Sequence, residues 1–418
     1  MTRLVVASLV CNVLSGNSWR LGLPVPPDRV LLFAGLALLV LGGAHPALHR
    51  LVWRRVHTAM ALMLLWTVWS GLTHGSFDTS YGAFALLDRL VVPFVLFVVG
   101  PVVFAREEDR RLLLRVLVVL GLYLGVTAVF EMVGPTSLVF PRYVMDPSVG
   151  ILFGRARGPF VEAEANGLVL ALCFFAAVLS AATSRRAWRA VSVLSAGMAL
   201  VGLLLTLTRS VWLGTVLGAL LVVAVTPSLR RRFVLLAGGA AAVLGAVLLA
   251  VPGLSTLLMD RLTTSRSVFD RQNTNAAALR AIAEHPVNGI GWTKFLTEGV
   301  DWVRQADDYP ITNVDIEVHN VVLSRAAELG LVGAALWVAC VLAGPGLALL
   351  RRPEPGLEGW RQVFLGYAGV WGVCTMVSPV PYVLPNNVLW LLAGMLLHGH
   401  LVRRPSALPS PPLVAAQR

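Results

Sequence analysis

The longest polar segment of this chain, residues 252–320, lies between two apolar stretches and ends at His319 and Asn320, where another apolar stretch begins. In an apolar chain, charged groups are tolerated only where they meet water or a polar ligand, so chemistry is expected here. A helix dipole disfavours imidazolium at the helix start, so His319 should stay neutral and act as a general base or hydrogen-bond partner. Asp315 or Glu317 can orient its ring, and Glu317 and Asn320 are candidate substrate contacts. A purely structural histidine is the alternative.

Two arginines of this segment belong to a predicted short helix. An Ala-rich stretch before His285-Pro286 indicates that helix. Arg280 follows Arg271 by nine residues, about 900° at roughly 100° per residue, so the two side chains point in opposite directions. Arg271 lies beside the Asn-rich helix start, where backbone amides favour an anion. Arg271 is therefore predicted to face a ligand, Arg280 is a further candidate contact, and a surface or headgroup-binding arginine is the alternative.

Arg209 interrupts a nearly continuous apolar run, between Thr208 and Ser210. A charged residue at the centre of a bilayer costs roughly 2.5 to 3.5 kcal/mol, so the chain is predicted to turn here at the outer surface. A guanidinium group stays charged and matches phosphate oxygens with two parallel hydrogen bonds. Arg209 is therefore a candidate phosphate ligand, and an arginine that snorkels at a tight turn is the alternative.

A glycine-containing polar loop precedes another predicted helix and carries Arg155, Arg157 and, at the helix start, Asn166. Such a loop can form the lid or floor of an anion site, because the free amides of a helix N-terminus attract negative charge. Arg155, Arg157 and Asn166 are therefore predicted substrate contacts. A charged re-entry loop, balanced by Glu162 and Glu164, is an equally good interpretation.

The elements that position these residues are transmembrane helices. Of the 418 residues, 57% are hydrophobic and 13% are charged, and the mean hydropathy is +0.76. A soluble domain has roughly 25% charged residues, so the chain is predicted to be an all-α polytopic membrane protein. A span needs about 20 apolar residues, and the first candidate is either a span or an interfacial helix. The twelve candidates are 4–22, 30–48, 56–73, 86–105, 112–133, 166–182, 190–208, 211–227, 233–251, 321–349, 362–380 and 386–402.

Charge placement predicts the topology. The net charge is +12, and the arginines gather in alternate short loops, as the positive-inside rule requires when both ends are cytoplasmic. Nucleic acid is therefore not an expected partner. The loop at 134–165, the turn at Arg209 and the segment 252–320 then lie outside. Residues 1–404 are predicted to form one membrane domain, and 405–418 a disordered cytoplasmic tail.

Metal and disulfide chemistry are not indicated. His45, His49, His57 and His74 lie on different loops, and His398 and His400 lie at the cytoplasmic end without carboxylates, so no metal site and no cofactor are predicted. The four cysteines lie in apolar runs without paired spacing and are expected to be buried thiols. They are Cys11, Cys173, Cys340 and Cys374.

Several short motifs recur in a known order between residues 150 and 345. On these motifs the chain resembles the O-antigen ligase and polymerase superfamily of bacterial membrane glycosyltransferases. The motifs are Arg155-x-x-Gly158 with Asn166, Thr206-x-Thr208-Arg209, Arg271 with Ala277-Ala278-Leu279, His285-Pro286, Gly289-Ile290-Gly291, His319-Asn320, and Glu328-Leu329-Gly330-Leu331-x-Gly333.

The resemblance implies a fold similar to the GT-C glycosyltransferases, in the cytoplasmic (inner) membrane with the active site on the extracytoplasmic side. It implies that Arg209 and Arg271 hold the pyrophosphate of an undecaprenyl-linked glycan and that His319 assists the hydroxyl of a glycan or lipid acceptor, without a metal. Direct displacement by that hydroxyl inverts the anomeric carbon. Asn275 and Thr208 depart from the usual tryptophan and serine, which puts the acceptor preference in doubt.

Two questions stay open at the level of sequence. The motifs do not separate a ligase from a polymerase. A transporter or a non-catalytic scaffold for envelope glycan assembly is the alternative class of function. A transporter should carry charges in the middle of its spans, around a central cavity, whereas most charges here lie in loops and at helix ends, which favours the enzyme.

Overall fold

The part of the chain that the structure describes is all-helical. A computed structural model describes residues 1–14, 16–41, 48–251, 253–304 and 317–403. Within these ranges no strand forms, and an isolated bridge joins Leu51 to Val402. The predicted tail at 405–418, and Asp315, lie outside the described residues. The all-α prediction is confirmed.

Sixteen α-helices follow one another in the described ranges. Two of them, α4 and α13, contain a π-helical turn, at Leu87–Val91 and Leu342–Gly346. The helices are α1 Thr2–Cys11, α2 Pro27–Leu41, α3 Arg55–Thr73, α4 Ser80–Val103, α5 Glu107–Met132, α6 Ala163–Thr183, α7 Arg186–Leu205, α8 Arg209–Val225, α9 Pro227–Ala250, α10 Leu254–Thr263, α11 Arg266–Glu284, α12 Phe295–Glu298, α13 Val321–Leu350, α14 Glu358–Val377, α15 Val383–Leu396 and α16 His398–Leu401.

Each of the twelve predicted spans overlaps a described helix, but the first, 4–22, overlaps only the short helix Thr2–Cys11. Within the described ranges, seven helices are long and apolar enough to cross a membrane, namely α3, α4, α5, α6, α7, α9 and α13. Three apolar stretches are shorter, at Thr2–Leu14, α8 and α15. The chain therefore has the helices of a polytopic membrane protein, and its first helix is short, in line with its apolar core.

Close helix contacts build the centre of the bundle. Helix α14 packs against α8 and α6, α7 against α5 and α6, α4 against α15, and α3 against α13. Small residues let backbones approach in a membrane. At Gly218 of α8 a Cβ atom would overlap the carbonyl group of Gly366 on α14. By contrast, α9 contains no buried residue and lies at the periphery.

A break in α13 joins it to the long polar segment that charge placement predicts to lie outside. The structure describes its residues 253–304, and we call them the outer segment. At Gly330 the backbone leaves the helix, with φ 69° and ψ 179°. The backbone N–H and C=O groups freed by the break pair with the stretch that follows α11. Leu331 N donates to the Pro286 carbonyl (2.8 Å), and Ile290 N donates to the Ala327 carbonyl (2.9 Å). The glycine motifs of the two stretches therefore form one backbone junction, which fixes the outer segment to the start of α13.

Substituting Gly330 with alanine is expected to destabilise this junction. The positive φ is strained for an L-residue, and a Cβ atom would overlap the Val287 carbonyl. We expect Gly330→Ala to lower the free energy of unfolding by about 1–3 kcal/mol, measured by thermal unfolding in detergent. The control is Gly239→Ala on α9, where a Cβ atom has no neighbour within 4 Å. Equal melting temperatures for the two variants would contradict this account of the junction.

Candidate functional site

Three segments that are far apart in sequence meet at one end of the bundle. Ala156, in the loop before α6, donates its N–H to the carbonyl of Leu205, in the turn between α7 and α8 (3.0 Å). Arg209, at the start of α8, donates to the carbonyl of Thr264, between α10 and α11 (3.3 Å). The three segments that charge placement assigns to one face therefore do lie together.

Four arginines from these segments form a cluster, which we call the arginine cluster: Arg155, Arg209, Arg261 and Arg271. All four are partly buried. Burial, together with repulsion from Arg261 and Arg209, lowers the pKa of Arg155 to about 10. The pKa values of Arg261 and Arg271 are also lowered, by burial first, and each is repelled by Arg209. Like charges held at this proximity, where burial weakens solvent screening, create a strong positive potential.

A buried carboxylate, Glu164, lies beside the cluster in the first turn of α6. Ser210 Oγ donates to its Oε1 atom (3.0 Å), and the Tyr382 hydroxyl donates to its Oε2 atom (3.3 Å). Glu164 provides the strongest charge attraction on Arg271. Burial, and secondarily repulsion from Glu164, raises the pKa of the neighbouring Glu162 to about 7. Glu164 therefore ties α6, α8 and the start of α15 to the arginine cluster.

His319 lies beside α11, close to Arg271. Its Nδ1 atom lies 3.2 Å from the Thr274 hydroxyl, one helical turn after Arg271. Burial lowers the pKa of His319 to about 4, and repulsion from Arg271 acts in the same direction against a smaller opposing effect of Glu317. A neutral ring is therefore the state at physiological pH. The sequence predicted a neutral ring from the helix dipole, and burial and Arg271 are two further causes that keep the imidazole neutral.

The two neighbours of His319 have structural partners. Asn320 caps α13, because its Oδ1 atom accepts from Leu323 N (3.0 Å), and its Nδ2 atom donates to the Met376 carbonyl (3.2 Å). Glu317 accepts a hydrogen bond from Arg89 of α4 (2.5 Å). The ring of His319 therefore contacts Thr274, while the carboxylate of Glu317 is directed to α4.

Arg157 and Asn166 hold the loop that carries Arg155. Arg157 is fully buried, and its guanidinium donates to the carbonyls of Val149 (2.6 Å) and Val144 (2.8 Å). Asn166 Nδ2 donates to the Ala156 carbonyl (3.0 Å). These two predicted substrate contacts, Arg157 in the loop and Asn166 at the start of α6, thus support the loop, because burial commits their donors to backbone carbonyls.

Arg280 lies on the opposite side of α11 from Arg271, as the helical spacing predicts. Its Nη1 atom donates to the carbonyl of Trp302 in the outer segment (2.7 Å). Further along, Arg325 and Glu328 of α13 form the ion pair expected from their i,i+3 spacing (3.2 Å), and both are buried. Arg271 is therefore the arginine of α11 that belongs to the cluster.

Three residues with prominent contacts here have no role in the sequence interpretation: Arg261, Glu164 as a partner of Arg271, and Arg89. Arg261 follows an acidic residue in a polar segment, and that pattern does not distinguish it from five other bases nearby. Arg89 does carry a signal, since a charge within an apolar span is costly and needs a partner.

A match with a protein family supports one of the classes of protein considered so far. Residues 191–338 match the family model described as O-antigen ligase. This segment of the chain is therefore similar to that family. This confirms the resemblance to the O-antigen ligase and polymerase superfamily. No curated protein gives a significant match over this sequence.

The matched segment, residues 191–338, contains much of the site, although it covers less than half of the chain. It includes Arg209, Arg261, Arg271 and His319. Arg155 and the carboxylate of Glu164 come from outside it. The site is therefore built from the matched segment together with helices that precede it and follow it in the chain.

Proposed function

We propose that this protein is a membrane glycosyltransferase of the O-antigen ligase and polymerase type. It transfers a glycan from undecaprenyl pyrophosphate to a hydroxyl of a lipid-linked or cell-envelope acceptor, on the outer face of the cytoplasmic membrane. The observation that carries the proposal is the arginine cluster beside a neutral His319. This arrangement combines a site for a polyvalent anion with a hydrogen-bond acceptor for a hydroxyl group.

The charge of the cluster suits a pyrophosphate group. Four guanidinium groups against the carboxyls of Glu162 and Glu164 leave an excess of at least two positive charges. A pyrophosphate diester is a doubly charged anion at neutral pH, and its charge increases as the bond to the sugar breaks. Each charge-assisted hydrogen bond contributes about 1.5–3 kcal/mol, and only interactions that strengthen in the transition state accelerate transfer. The cluster therefore stabilises the leaving group.

His319 then assists the attacking hydroxyl. With a pKa of about 4 the imidazole is a weak base, so it accepts a hydrogen bond early and the proton only as the new bond forms. The bond between the anomeric carbon and the pyrophosphate oxygen breaks, and the electron pair leaves with the pyrophosphate. Displacement from the opposite side inverts the anomeric carbon. The guanidinium groups supply the charge stabilisation, so the proposed reaction uses no metal ion and no cofactor.

The proposed topology has about twelve crossings, including the shorter helices, in a fold similar to the GT-C glycosyltransferases. Residues 1–404 form one membrane domain, and 252–320 form its extracytoplasmic loop. The arginine-rich loops face the cytoplasm, as the positive-inside rule requires, so the arginine cluster faces outward. A lipid-linked donor can then reach the cluster from the outer leaflet.

A transporter or an assembly scaffold is the alternative. Buried charges inside spans are what a transporter would use, and Arg89, Arg325 and Glu328 lie in such positions. All three are engaged in ion pairs, and Arg325 and Glu328 lie within two turns of the start of α13. Paired charges near one end favour a structural role for them over a transport path.

The size distribution of undecaprenyl-linked glycans in cells that lack the protein tests the proposal. We expect single repeats to accumulate if the enzyme is a polymerase, and long chains to stay on the lipid if it is a ligase. Reintroducing the intact gene is the control, and it should restore the original distribution. An unchanged distribution in the cells that lack the protein would refute the glycosyltransferase function.

A further inference from the structure

We propose that Arg89 is a positioning residue for His319, acting through an ion pair with Glu317. This inference rests on the proposed glycosyltransferase function. Arg89 lies on α4, far outside the O-antigen ligase match at 191–338. It would link the first helices of the chain to the residue that assists the acceptor hydroxyl.

The ion pair is short and nearly enclosed. Arg89 Nη2 lies 2.5 Å from Glu317 Oε1, and the two side chains are 10% and 15% exposed. Tyr81, about two turns earlier on α4, accepts from Arg89 (2.9 Å) and donates to Glu317 (3.4 Å). A hydrogen-bonded pair of this kind has a defined geometry. It therefore fixes where the backbone at Glu317 lies relative to α4.

The short segment from Glu317 to Asn320 is held residue by residue. Glu317 binds α4, Val318 is fully buried in a small core with Ala277 and Ala278 of α11, and Asn320 caps α13. His319 lies between these attachments. Removing the attachment at Glu317 frees the segment on the side of α4, so the imidazole loses its defined position against Thr274 and Arg271.

The local helix geometry supports a dedicated role for Arg89. The π-helical turn Leu87–Val91 interrupts α4, and π turns often mark functional positions. Within it, adjacent residues serve different partners: Asp88 pairs with Arg29 of α2 (2.6 Å), while Arg89 pairs with Glu317. Burying an ion pair carries a large desolvation penalty, so the Arg89 pair contributes a defined geometry more than stability. The Asp88 pair provides a matched comparison for the Arg89 pair.

Two double variants of the full-length protein test the inference. Arg89→Gln with Glu317→Gln removes the pair at His319 and leaves no buried charge unpaired. Arg29→Gln with Asp88→Asn removes the other pair of the same π turn. Transfer is measured in membranes with extracted lipid-linked glycan as the donor, and folded protein is quantified by thermal unfolding. We expect kcat to fall about a hundredfold in the first double variant, because misplacement of a reacting group by about 1 Å has effects of this size. The KM for the donor should stay within about twofold of the KM of the original protein.

The second double variant should keep kcat close to that of the original protein. Arg89→Lys keeps a positive charge beside Glu317, so its kcat should be about tenfold higher than that of the first double variant. Unchanged kcat in the first double variant, or equal losses in both, would overturn the positioning role. If the first double variant does not fold, Tyr81→Phe decides. It removes the hydroxyl that hydrogen-bonds both Arg89 and Glu317, so kcat should fall about fivefold, and an unchanged kcat would be the contrary result. Failure of the unsubstituted protein to transfer glycan would instead refute the proposed function itself.

Discussion

Arg271→Ala is expected to abolish glycan transfer while the protein still inserts in the membrane. Arg271 lies in the arginine cluster, beside Glu164 and His319, so its loss removes charge at the point where the pyrophosphate leaves. Removing one preorganised donor of this kind lowers kcat by about 10²–10³, and Arg209→Ala should have an effect of the same order. Transfer is measured in isolated membranes with lipid-linked glycan as the donor.

The matched control is Arg304→Ala. Arg304 is an exposed arginine of the same outer segment, and it donates only to nearby carbonyls at Asp301 and Val303 among the contacts described for it. It should leave transfer unchanged. Normal transfer by stably inserted Arg209→Ala or Arg271→Ala would remove the pyrophosphate clamp from the mechanism.

His319→Ala is expected to have the second large effect. General acid–base assistance contributes about 10²–10⁴ to a rate, so transfer should fall by that factor, and lipid-linked glycan should accumulate in cells that carry the variant. His319→Ala leaves the arginine cluster intact, so the affinity for the donor should change little. An unchanged glycan distribution would make His319 structural.

The protonation state of His319 can be measured directly. Since burial and Arg271 lower its pKa to about 4, labelled-histidine spectra should show a neutral ring at pH 6, where an exposed imidazole is largely protonated. The ring should take up its proton only as the pH falls through about 4. Arg271→Ala removes the repulsion and should move the pKa upward. A ring that titrates near pH 6.5 in the intact protein would contradict the buried position.

Much of the fold follows from the sequence, because helix period, apolar length and helix boundaries are local properties. The opposite orientation of Arg271 and Arg280 follows from 100° per residue alone. The turn at Arg209 follows from the cost of burying a charge. The start of α11 at Arg266 was not predicted, although Ser265 at its N-cap is a residue type that favours this position. Arg271 therefore lies inside the helix, and the prediction that it lies beside the helix start was wrong.

The assembly of the site was less predictable, because its partners are distant in sequence. Arg261 joins the cluster only through the placement of α10 against the turn after α7, where its Nε atom donates to Leu207 (3.4 Å). The burial of Arg157 depends on carbonyls of its own folded loop and on Glu131, its ion-pair partner on α5. Residue types identify candidates, whereas tertiary contacts separate those that support a loop from those that face the cluster.

The crowding of positive charge around Arg155, Arg209, Arg261 and Arg271 has a consequence for turnover. In the proposed reaction, the departing polyprenyl pyrophosphate has one more acidic oxygen than the donor, and the same guanidinium groups hold it. It is therefore bound more tightly than the donor, and its escape becomes the slow step of each cycle. Polyprenyl pyrophosphate should act as a competitive product inhibitor. The turnover rate of the enzyme then depends on how fast this product is removed from the membrane around it.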